Sequence, residues 1–150
     1  MDVQELVRAF NRLPRSPKTQ SGLVDNHWHF AIQNVPIPPQ GDLLHFVNPG
    51  SRFTHNEGPT QILSLSPVDE RADIILPMLL KAFVQQMGHG PGSPYWDPRH
   101  KAFAPWSWGT EHVELARALE ERLKSAGVRE ELCKIEVGNE EHIKVQKDVW

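Results

Sequence analysis

The spacing of apolar residues along the chain predicts three helices. Residues 2–13 carry apolar side chains three and four positions apart, which is the pattern of one helix face. Residues 69–87 are apolar nearly all round, a pattern typical of a buried helix. We expect this second helix to begin after Ser66 as N-cap and Pro67 at the first helical position. A third helix is predicted over residues 110–126, with the threonine that opens this range as its cap.

The alternation of apolar and polar residues predicts four strands. These cover residues 26–34, 42–48, 60–66 and 131–137, and residues 103–108 form a further short extended piece. Turn-forming residues separate the segments, and the sequence shows no internal repeat. We therefore expect an α+β fold in which a small antiparallel sheet of about four strands packs against two or three helices.

Composition narrows the classes of protein. A chain of 150 residues can bury one core, so we expect a single domain over residues 1–150. The formal net charge of −3 argues against a protein that coats nucleic acid by bulk charge. Cys133 is the single cysteine, so no internal disulfide is possible. With no signal-peptide pattern and no apolar run of membrane-spanning length, we expect a cytoplasmic monomer that does not contact membranes.

Two histidines alternate with large apolar residues in the first predicted strand. His27 and His29 share one face, roughly 6.5–7 Å apart by the rise of a strand, and Asp25 lies on the same side by parity. His45 of the second predicted strand joins them if the register places it alongside. This pattern suits two ligands of one metal ion or two groups that contact one phosphate. The alternative is that these are partly buried structural histidines.

A second group of reactive residues lies on the segment GHGPGSPYWDPRH (88–100), which cannot be a helix. Phosphoryl transfer at RNA needs a base for the 2′-hydroxyl proton, an acid for the leaving oxygen and a cation for the phosphate charge. The segment offers histidines for proton transfer, an arginine for phosphate, a tyrosine to donate or stack, and an aspartate to orient a histidine or bind a metal. The alternative is a surface loop with its aromatic residues packed into the core. The candidate catalytic residues are His89, Tyr95, Asp97, Arg99 and His100.

Two other polar clusters are interpreted as surface features. His55 and Glu57, two residues apart in a predicted loop, have the chemistry of an acid and a base. The basic residues within 8–18 form a solvated face, with a local phosphate-contacting patch as the alternative.

Four segments carry a resemblance to a basidiomycete family. GDLLHFVNPGS, TQILSLSP, APWSWGT and GVREELCKIEVG are similar to segments of the small ribotoxin-like ribonucleases of mushrooms, of the ageritin type. They also resemble segments of uncharacterised mushroom proteins that carry a MYND-type zinc finger elsewhere in the chain. The resemblance runs from about Val3 to Val137. It implies an endoribonuclease that cuts one phosphodiester in the sarcin–ricin loop of large-subunit rRNA and needs a divalent metal ion.

We therefore expect a metal-dependent endoribonuclease that acts on the ribosome and inhibits translation. Its divalent ion, Mg²⁺ or Zn²⁺, would be held by Asp25, His27 and His29. The first alternative is a non-catalytic fungal protein-interaction module. The second is a histidine-based metal hydrolase that acts on a small ester. The acidic pI of about 6.2 weighs against the ribonuclease, because a ribosome-directed enzyme gains association rate from positive charge.

Overall fold

The computed structural model describes residues 2–36, 38, 40–64 and 67–150. This part of the chain forms four α-helices and five strands, with two short 3₁₀ turns at Gln86–Gly88 and Glu130–Leu132. Among the described residues, no helix combines the length and the apolar character needed to cross a membrane. In chain order the elements are α1 (Val3–Asn11), β1 (His27–Val35), β2 (Gly41–Val47), β3 (Thr54–Thr60), α2 (Val68–Val84), β4 (Ser107–Thr110), α3 (Val113–Ala126), β5 (Glu136–Val137) and α4 (Glu140–Val149).

The strands form one mixed sheet in the order β3-β2-β1-β4-β5. β1 and β3 each pair antiparallel with β2, whereas β4 runs parallel to both β1 and β5. The α+β class is therefore confirmed. The sheet has five strands rather than about four, and it is mixed rather than wholly antiparallel. The parallel pairs arise because α2 and α3 precede β4 and β5, and a helical crossover returns the chain in the same direction.

The apolar core lies on one face of this sheet, beneath α1, α2 and α3. Trp28 and Phe46 project from the strands onto Phe83 of α2, with ring centroids 5.9 and 6.1 Å apart. Phe10 of α1 stacks on Trp108 of β4 at 5.8 Å. All five side chains are nearly or fully buried. Side chains alternate along a strand, so every second residue of β1 and β2 points away from this core. α4 packs against that opposite face of the sheet.

Helix boundaries follow the expected local chemistry in part. α1 begins with a capping box, in which Asp2 accepts from the Glu5 backbone N–H at 2.8 Å and the Glu5 side chain accepts from the Asp2 backbone N–H. Gly127 ends α3 with a φ of 86°. The N-cap predicted at Ser66 lies outside the described residues. Thr110 does not cap α3, because its hydroxyl donates to the backbone carbonyl of Phe30 at 2.8 Å and holds it in the sheet.

The third predicted strand, 60–66, is wrong over its described residues, because the chain leaves the sheet after Thr60; its last two positions lie outside the described part of the chain. The chain is instead in a strand at Thr54–Thr60, which is polar and mostly exposed because it forms the edge of the sheet. Beyond it the chain turns away, since the Asp42 carboxylate accepts hydrogen bonds from the backbone N–H groups of Ile62 and Leu63 at 2.9 and 2.8 Å. Ile62 is buried as a single anchoring residue, not as part of a ladder.

The C-terminal part of the chain also differs from the prediction. Only Glu136–Val137 of the predicted strand 131–137 pairs in the sheet, because Glu130–Leu132 forms a 3₁₀ turn. The acidic segment after Gly138, for which no element was predicted, contains α4. This helix is capped by the Asn139 side chain, which accepts from the backbone N–H of His142 at 3.0 Å.

Candidate functional site

Between the sheet and α4 lies a cluster of histidines. β1 places His27 and His29 on the side away from the apolar core, and the β1–β2 register puts His45 on that same side. These three residues are only 8%, 2% and 2% exposed. α4 contributes His142 and Gln146 from one of its faces. We refer to these five residues as the histidine face.

Gln146 orients two of the rings. Its amide nitrogen donates to the backbone carbonyl of His45 at 2.8 Å and lies 3.0 Å from His45 Nδ1. Because a carbonyl oxygen can only accept, the amide nitrogen must face β2. The amide oxygen is then left to accept a short hydrogen bond from Nδ1 of His29. Neutral His29 therefore carries its proton on Nδ1 and leaves Nε2 with a bare lone pair.

His27 is oriented from the other side, by β4 and β5. Its Nδ1 lies 2.7 Å from the hydroxyl oxygen of Ser107 and 3.6 Å from a carboxylate oxygen of Glu136. The ring packs against that of His142, with centroids 4.5 Å apart, and the His29 ring lies 6.0 Å from the same partner. The carboxylate near Nδ1 favours a proton on that nitrogen, so Nε2 is again the unprotonated one.

The electrostatics of this cluster favour neutral imidazoles. Burial, together with smaller contributions from the neighbouring His142 and His29, lowers the pKa of His27 to about 4. Burial also lowers the pKa values of His29 and His45 from the ordinary value. At neutral pH these three rings therefore carry no charge.

Three nitrogens of the histidine face have no hydrogen-bond partner within the described residues although they are buried. They are Nε2 of His27, Nε2 of His29 and Nδ1 of His142. Buried polar atoms are nearly always paired, because leaving one unpaired costs about 1–3 kcal/mol. Three such atoms in one cluster therefore point to a missing partner.

Asp25 does not join the two histidines with which it was predicted. Its side chain is 78% exposed and forms an ion pair with Lys18 at 2.7 Å, and the hydrogen bond from that lysine lowers its pKa. Asp25 does line the same cleft as His27, a space of about 930 Å³ that also reaches His142. In the conformation shown, the described residues contain no group of three His, Cys, Asp or Glu side chains arranged to hold a metal ion.

The donor atoms of the histidine face decide which metals fit there. Mg²⁺ demands oxygen ligands in near-octahedral geometry, whereas imidazole nitrogens suit zinc, copper, nickel and cobalt. With the Asp25 carboxylate held by Lys18, the expectation of Mg²⁺ does not fit these residues. The expectation of Zn²⁺ does.

The segment 88–100 brings together four of its five candidate residues. The rings of His89 and His100 stack with centroids 5.0 Å apart and an interplanar angle of 29°. Asp97 accepts from the backbone N–H of Arg99 at 3.0 Å and from its guanidinium at 3.1 and 3.2 Å. Asp97 in turn donates its own backbone N–H to the His89 carbonyl at 3.2 Å.

Tyr95 is placed apart from this cluster. Its carbonyl accepts from His89 Nδ1 at 3.1 Å, so it orients that ring through the backbone, but its side chain is exposed. Trp96 is exposed as well. The alternative in which these two aromatic residues pack into the core is therefore wrong. We refer to His89, Asp97, Arg99 and His100 as the loop cluster.

The loop cluster holds one ion pair and one histidine with a lowered pKa. The hydrogen bonds from Arg99 lower the pKa of Asp97 and those to Asp97 raise the pKa of Arg99, so both are ionised at neutral pH. Burial lowers the pKa of His100, and the nearby His89 lowers it further. His100 Nδ1 is buried without a hydrogen-bond partner in the part of the chain that is described.

A second cleft, of about 860 Å³, is lined by three of the four residues of the loop cluster, Asp97, Arg99 and His100, and by Arg52. The fourth residue, His89, lies behind His100, on which its ring stacks. Its apolar lining is largely aromatic, from Trp28, Phe53 and Phe103. This volume is within the range of ligand pockets, about 300–1,000 Å³.

Arg52 lines both clefts and was not identified from the sequence. Its backbone lies in the left-handed region with a φ of 63°, a conformation that non-glycine residues seldom adopt. Its guanidinium lies 3.9 Å from the carboxylate of Asp148 on α4. The sequence contained one indication that Arg52 is exposed in a turn, since it directly follows the turn residues 48–51.

The pair His55 and Glu57 also differs from its interpretation. The two residues lie on β3, not in a loop, and the imidazole Nε2 is 2.7 Å from the carboxylate. Their side chains are only 15% and 12% exposed, so the surface interpretation is wrong.

Comparison of the chain with protein-family models, with curated proteins and with solved structures gave no match. What the two clusters do is therefore inferred from their own geometry and chemistry.

Proposed function

We propose that the protein is an endoribonuclease whose catalytic groups are those of the loop cluster. The observation that carries this proposal is the second cleft, in which an imidazole, a guanidinium and an aromatic wall face one space of nucleotide size. A single-stranded nucleotide needs these three contacts, because its base stacks on aromatic rings and its phosphate pairs with cations.

The two histidines supply the proton transfers. One imidazole takes the 2′-hydroxyl proton as that oxygen bonds to phosphorus, and the other gives a proton to the 5′-oxygen as the phosphorus–O5′ bond breaks. The products are a 2′,3′-cyclic phosphate and a free 5′-hydroxyl. His100 suits the base, because its lowered pKa keeps it neutral near pH 7. His89, whose Nδ1 donates to the Tyr95 carbonyl and whose ring stacks on His100, acts as the acid when its ring carries both protons, and it gives up the proton on Nε2.

Arg99 and Arg52 supply the positive charge. The Arg99 guanidinium is 88% exposed and held in place by Asp97, so it can reach a phosphate without a large loss of side-chain freedom. Arg52 approaches the same cleft from the β2–β3 connection. Asp97 acts as a positioning residue, because its hydrogen bonds go to Arg99.

The target within RNA follows from the resemblance to the mushroom ribotoxin-like ribonucleases, which implies one phosphodiester in the sarcin–ricin loop. The same resemblance implies a divalent ion. His27 and His29 are the residues that would hold it, and an ion bound there would add positive charge beside phosphate. The two clefts share Arg52 together with Leu23 and Val24, so an RNA strand can extend across both.

The decisive experiment incubates the purified protein with intact eukaryotic ribosomes, with and without EDTA, and resolves the RNA on a denaturing gel. We expect one discrete fragment from the 3′ end of the large rRNA, weakened by the chelator. The double variant His89→Ala/His100→Ala should yield none, and the exposed His112→Ala variant should cleave normally. Intact rRNA under every divalent metal tested would overturn the proposal.

One observation favours a second candidate, the protein-interaction module. Tyr95 and Trp96 are exposed side by side on the loop, at 75% and 54%, and exposed aromatic residues are common at binding surfaces. A binding module would retain RNA or protein ligands without cutting them. Binding of a protein partner that is lost in the variant Tyr95→Ala/Trp96→Ala, with ribosomal RNA left intact in the presence of Zn²⁺, would favour this candidate.

A further inference from the structure

We propose that His27, His29 and His142 form a binding site for a zinc-class transition-metal ion, closed on one side by α4. The proposal rests on the three buried nitrogens that lack a partner, and it stands on that geometry whatever reaction the protein catalyses. It replaces Asp25 as a ligand by a histidine from a helix that sequence patterns did not reveal.

His29 is held in one tautomer, with its proton on Nδ1. Gln146 fixes its proton on Nδ1, because the amide nitrogen is committed to the His45 carbonyl and only the amide oxygen faces the ring. The remaining nitrogen, Nε2, is a lone pair in a buried position. Metal-binding histidines are held in this way, with the second ring N–H donated to an oxygen of the surrounding shell.

His27 is oriented in the same way as His29, by oxygen atoms that face its Nδ1. Ser107 and Glu136 place oxygen atoms at 2.7 and 3.6 Å from its Nδ1. The proton is thereby drawn to Nδ1, and Nε2 is left unpartnered and buried like that of its neighbour on the strand. Two adjacent histidines of β1 are thus both oriented by oxygen acceptors, with their free nitrogens on the face that α4 covers.

The third ligand comes from α4. The His142 ring lies 4.5 Å from that of His27 and 6.0 Å from that of His29. Two imidazoles on one tetrahedral zinc, with bonds of about 2.0–2.1 Å, hold their ring centres roughly 5 Å apart. The observed separations lie on either side of that value. Because no group of three is in ligating geometry as it stands, binding requires the His142 ring to turn.

The site adjoins a cleft and has an open coordination position. The first cleft is lined by His27 and His142, but the three nitrogens are themselves buried, so an ion reaches them from this cleft when the His142 ring turns. Three histidine ligands leave the fourth tetrahedral position for water or a substrate oxygen, which is the arrangement of catalytic rather than structural zinc. The all-nitrogen donor set favours Zn²⁺, Co²⁺, Ni²⁺ or Cu²⁺ over Mg²⁺ and Ca²⁺.

The test uses tag-free protein, because a polyhistidine tag binds the same ions. The metal-stripped protein is titrated with Co²⁺ at pH 7.5, and the visible absorption of tetrahedral cobalt is recorded. We expect one ion per chain, displaced by Zn²⁺ and unaffected by Mg²⁺. A second readout is the unfolding temperature, which Zn²⁺ should raise because it binds only the folded protein.

The variants separate ligands from other residues. His142→Ala should weaken Co²⁺ binding by more than about 100-fold, since it removes a ligand, and Gln146→Ala should weaken it about 10–100-fold, since it only orients one. His112→Ala is the matched control and should bind like the unaltered protein. Circular dichroism of the metal-free variants confirms that each is folded.

Two outcomes would overturn the site. One is the absence of stoichiometric Co²⁺ binding to a folded protein, which would mean that water or ring contacts satisfy the three nitrogens. The other is equal binding by His142→Ala and the unaltered protein. Either outcome would remove the bound ion from the proposed ribonuclease but would leave the proton transfers of the loop cluster in place. Cleavage of rRNA that persists in EDTA, together with absent Co²⁺ binding, would mean that this site alone has failed, so the two failures are distinguishable.

Discussion

The histidine face and the loop cluster bring reactive side chains together by opposite means. The histidine face is buried and built from long-range contacts, with Gln146 joined to His29 across 117 positions of sequence. The loop cluster lies within thirteen residues and is held by turns and by hydrogen bonds between near neighbours. The histidine face is enclosed by helix and strands, whereas the loop cluster lies at the edge of a cleft.

This difference indicates what each region can bind. A buried set of neutral nitrogens suits an ion better than a large ligand, and two of its three members are positioned by the sheet. An exposed loop with a cation and two stacked imidazoles suits a large ligand that cannot enter a closed site. The two regions are therefore expected to respond differently to substitution, to pH and to chelators.

The largest expected effect separates the loop cluster from the rest of the fold. His100→Ala should lower the rate of rRNA cleavage at least about 100-fold, because general acid–base groups contribute about 10²–10⁴-fold. The unfolding temperature should change little. Asp97→Ala should act in the same direction by releasing Arg99. Cleavage assays on ribosomes measure both, and full activity in the variant carrying both substitutions would contradict the assignment.

Acid should act on the histidine face. The folded pKa of His27 is about 4 against an ordinary value of 6.5, so between these values the unfolded chain binds more protons than the folded one. Stability is then complete above pH 6.5 and is lost as the pH falls toward 4. At about 1.4 kcal/mol per pH unit, the loss from this residue reaches at most about 3 kcal/mol.

Urea unfolding at pH 7, 6 and 5 measures this loss. His29 and His45 contribute in the same direction, because burial lowers their pKa values also. His27→Asn should flatten the pH dependence, whereas His112→Asn should leave it as it is. Equal stability at pH 7 and pH 5 would show that the histidine face is hydrated rather than buried.

A smaller effect is expected for the residue that links α4 to both strands. Gln146→Ala removes hydrogen bonds to His29 and His45 and leaves buried groups unpaired, which should cost about 1–3 kcal/mol of unfolding free energy. The exposed Lys144→Ala on the same helix is the control and should cost far less. Chemical denaturation of the two variants compares them. Equal effects would mean that α4 does not rest on the histidine face.

The smallest effect is expected at Asp25. Because its carboxylate is exposed and paired with Lys18, Asp25→Asn should leave Co²⁺ affinity and unfolding temperature unchanged. Titration of the variant beside the unaltered protein measures this. A marked loss of affinity would return Asp25 to the set of metal ligands and would weaken the case for His142.

The sequence predicted those parts of the fold in which burial and polarity alternate. β1, β2 and the three helices of the core have the expected apolar patterns, and the parity of β1 correctly places His27 and His29 on one face. β3 was misplaced because an edge strand needs no apolar side chains, whereas the alternating residues after it contribute a single buried anchor, Ile62.

The same logic explains why α4 was missed. Its one buried residue is a glutamine, so the helix presents amide and imidazole groups to the sheet instead of an apolar stripe. The available signal was the separation of four residues between His142 and Gln146, which places both on one side of a helix. That signal has meaning only once the strand histidines are known to need partners. The loop cluster was predicted because its contacts are local.

The way α4 is attached has a consequence for motion. A ten-residue helix that docks through a few polar contacts belongs among the first segments of a protein to open, while the sheet and its apolar core stay closed. Such an opening would uncover the three unpartnered nitrogens without global unfolding. An ion bridging His142 to β1 would hold α4 against the sheet and oppose this opening. Amide hydrogen exchange along α4 would then slow when the metal is bound.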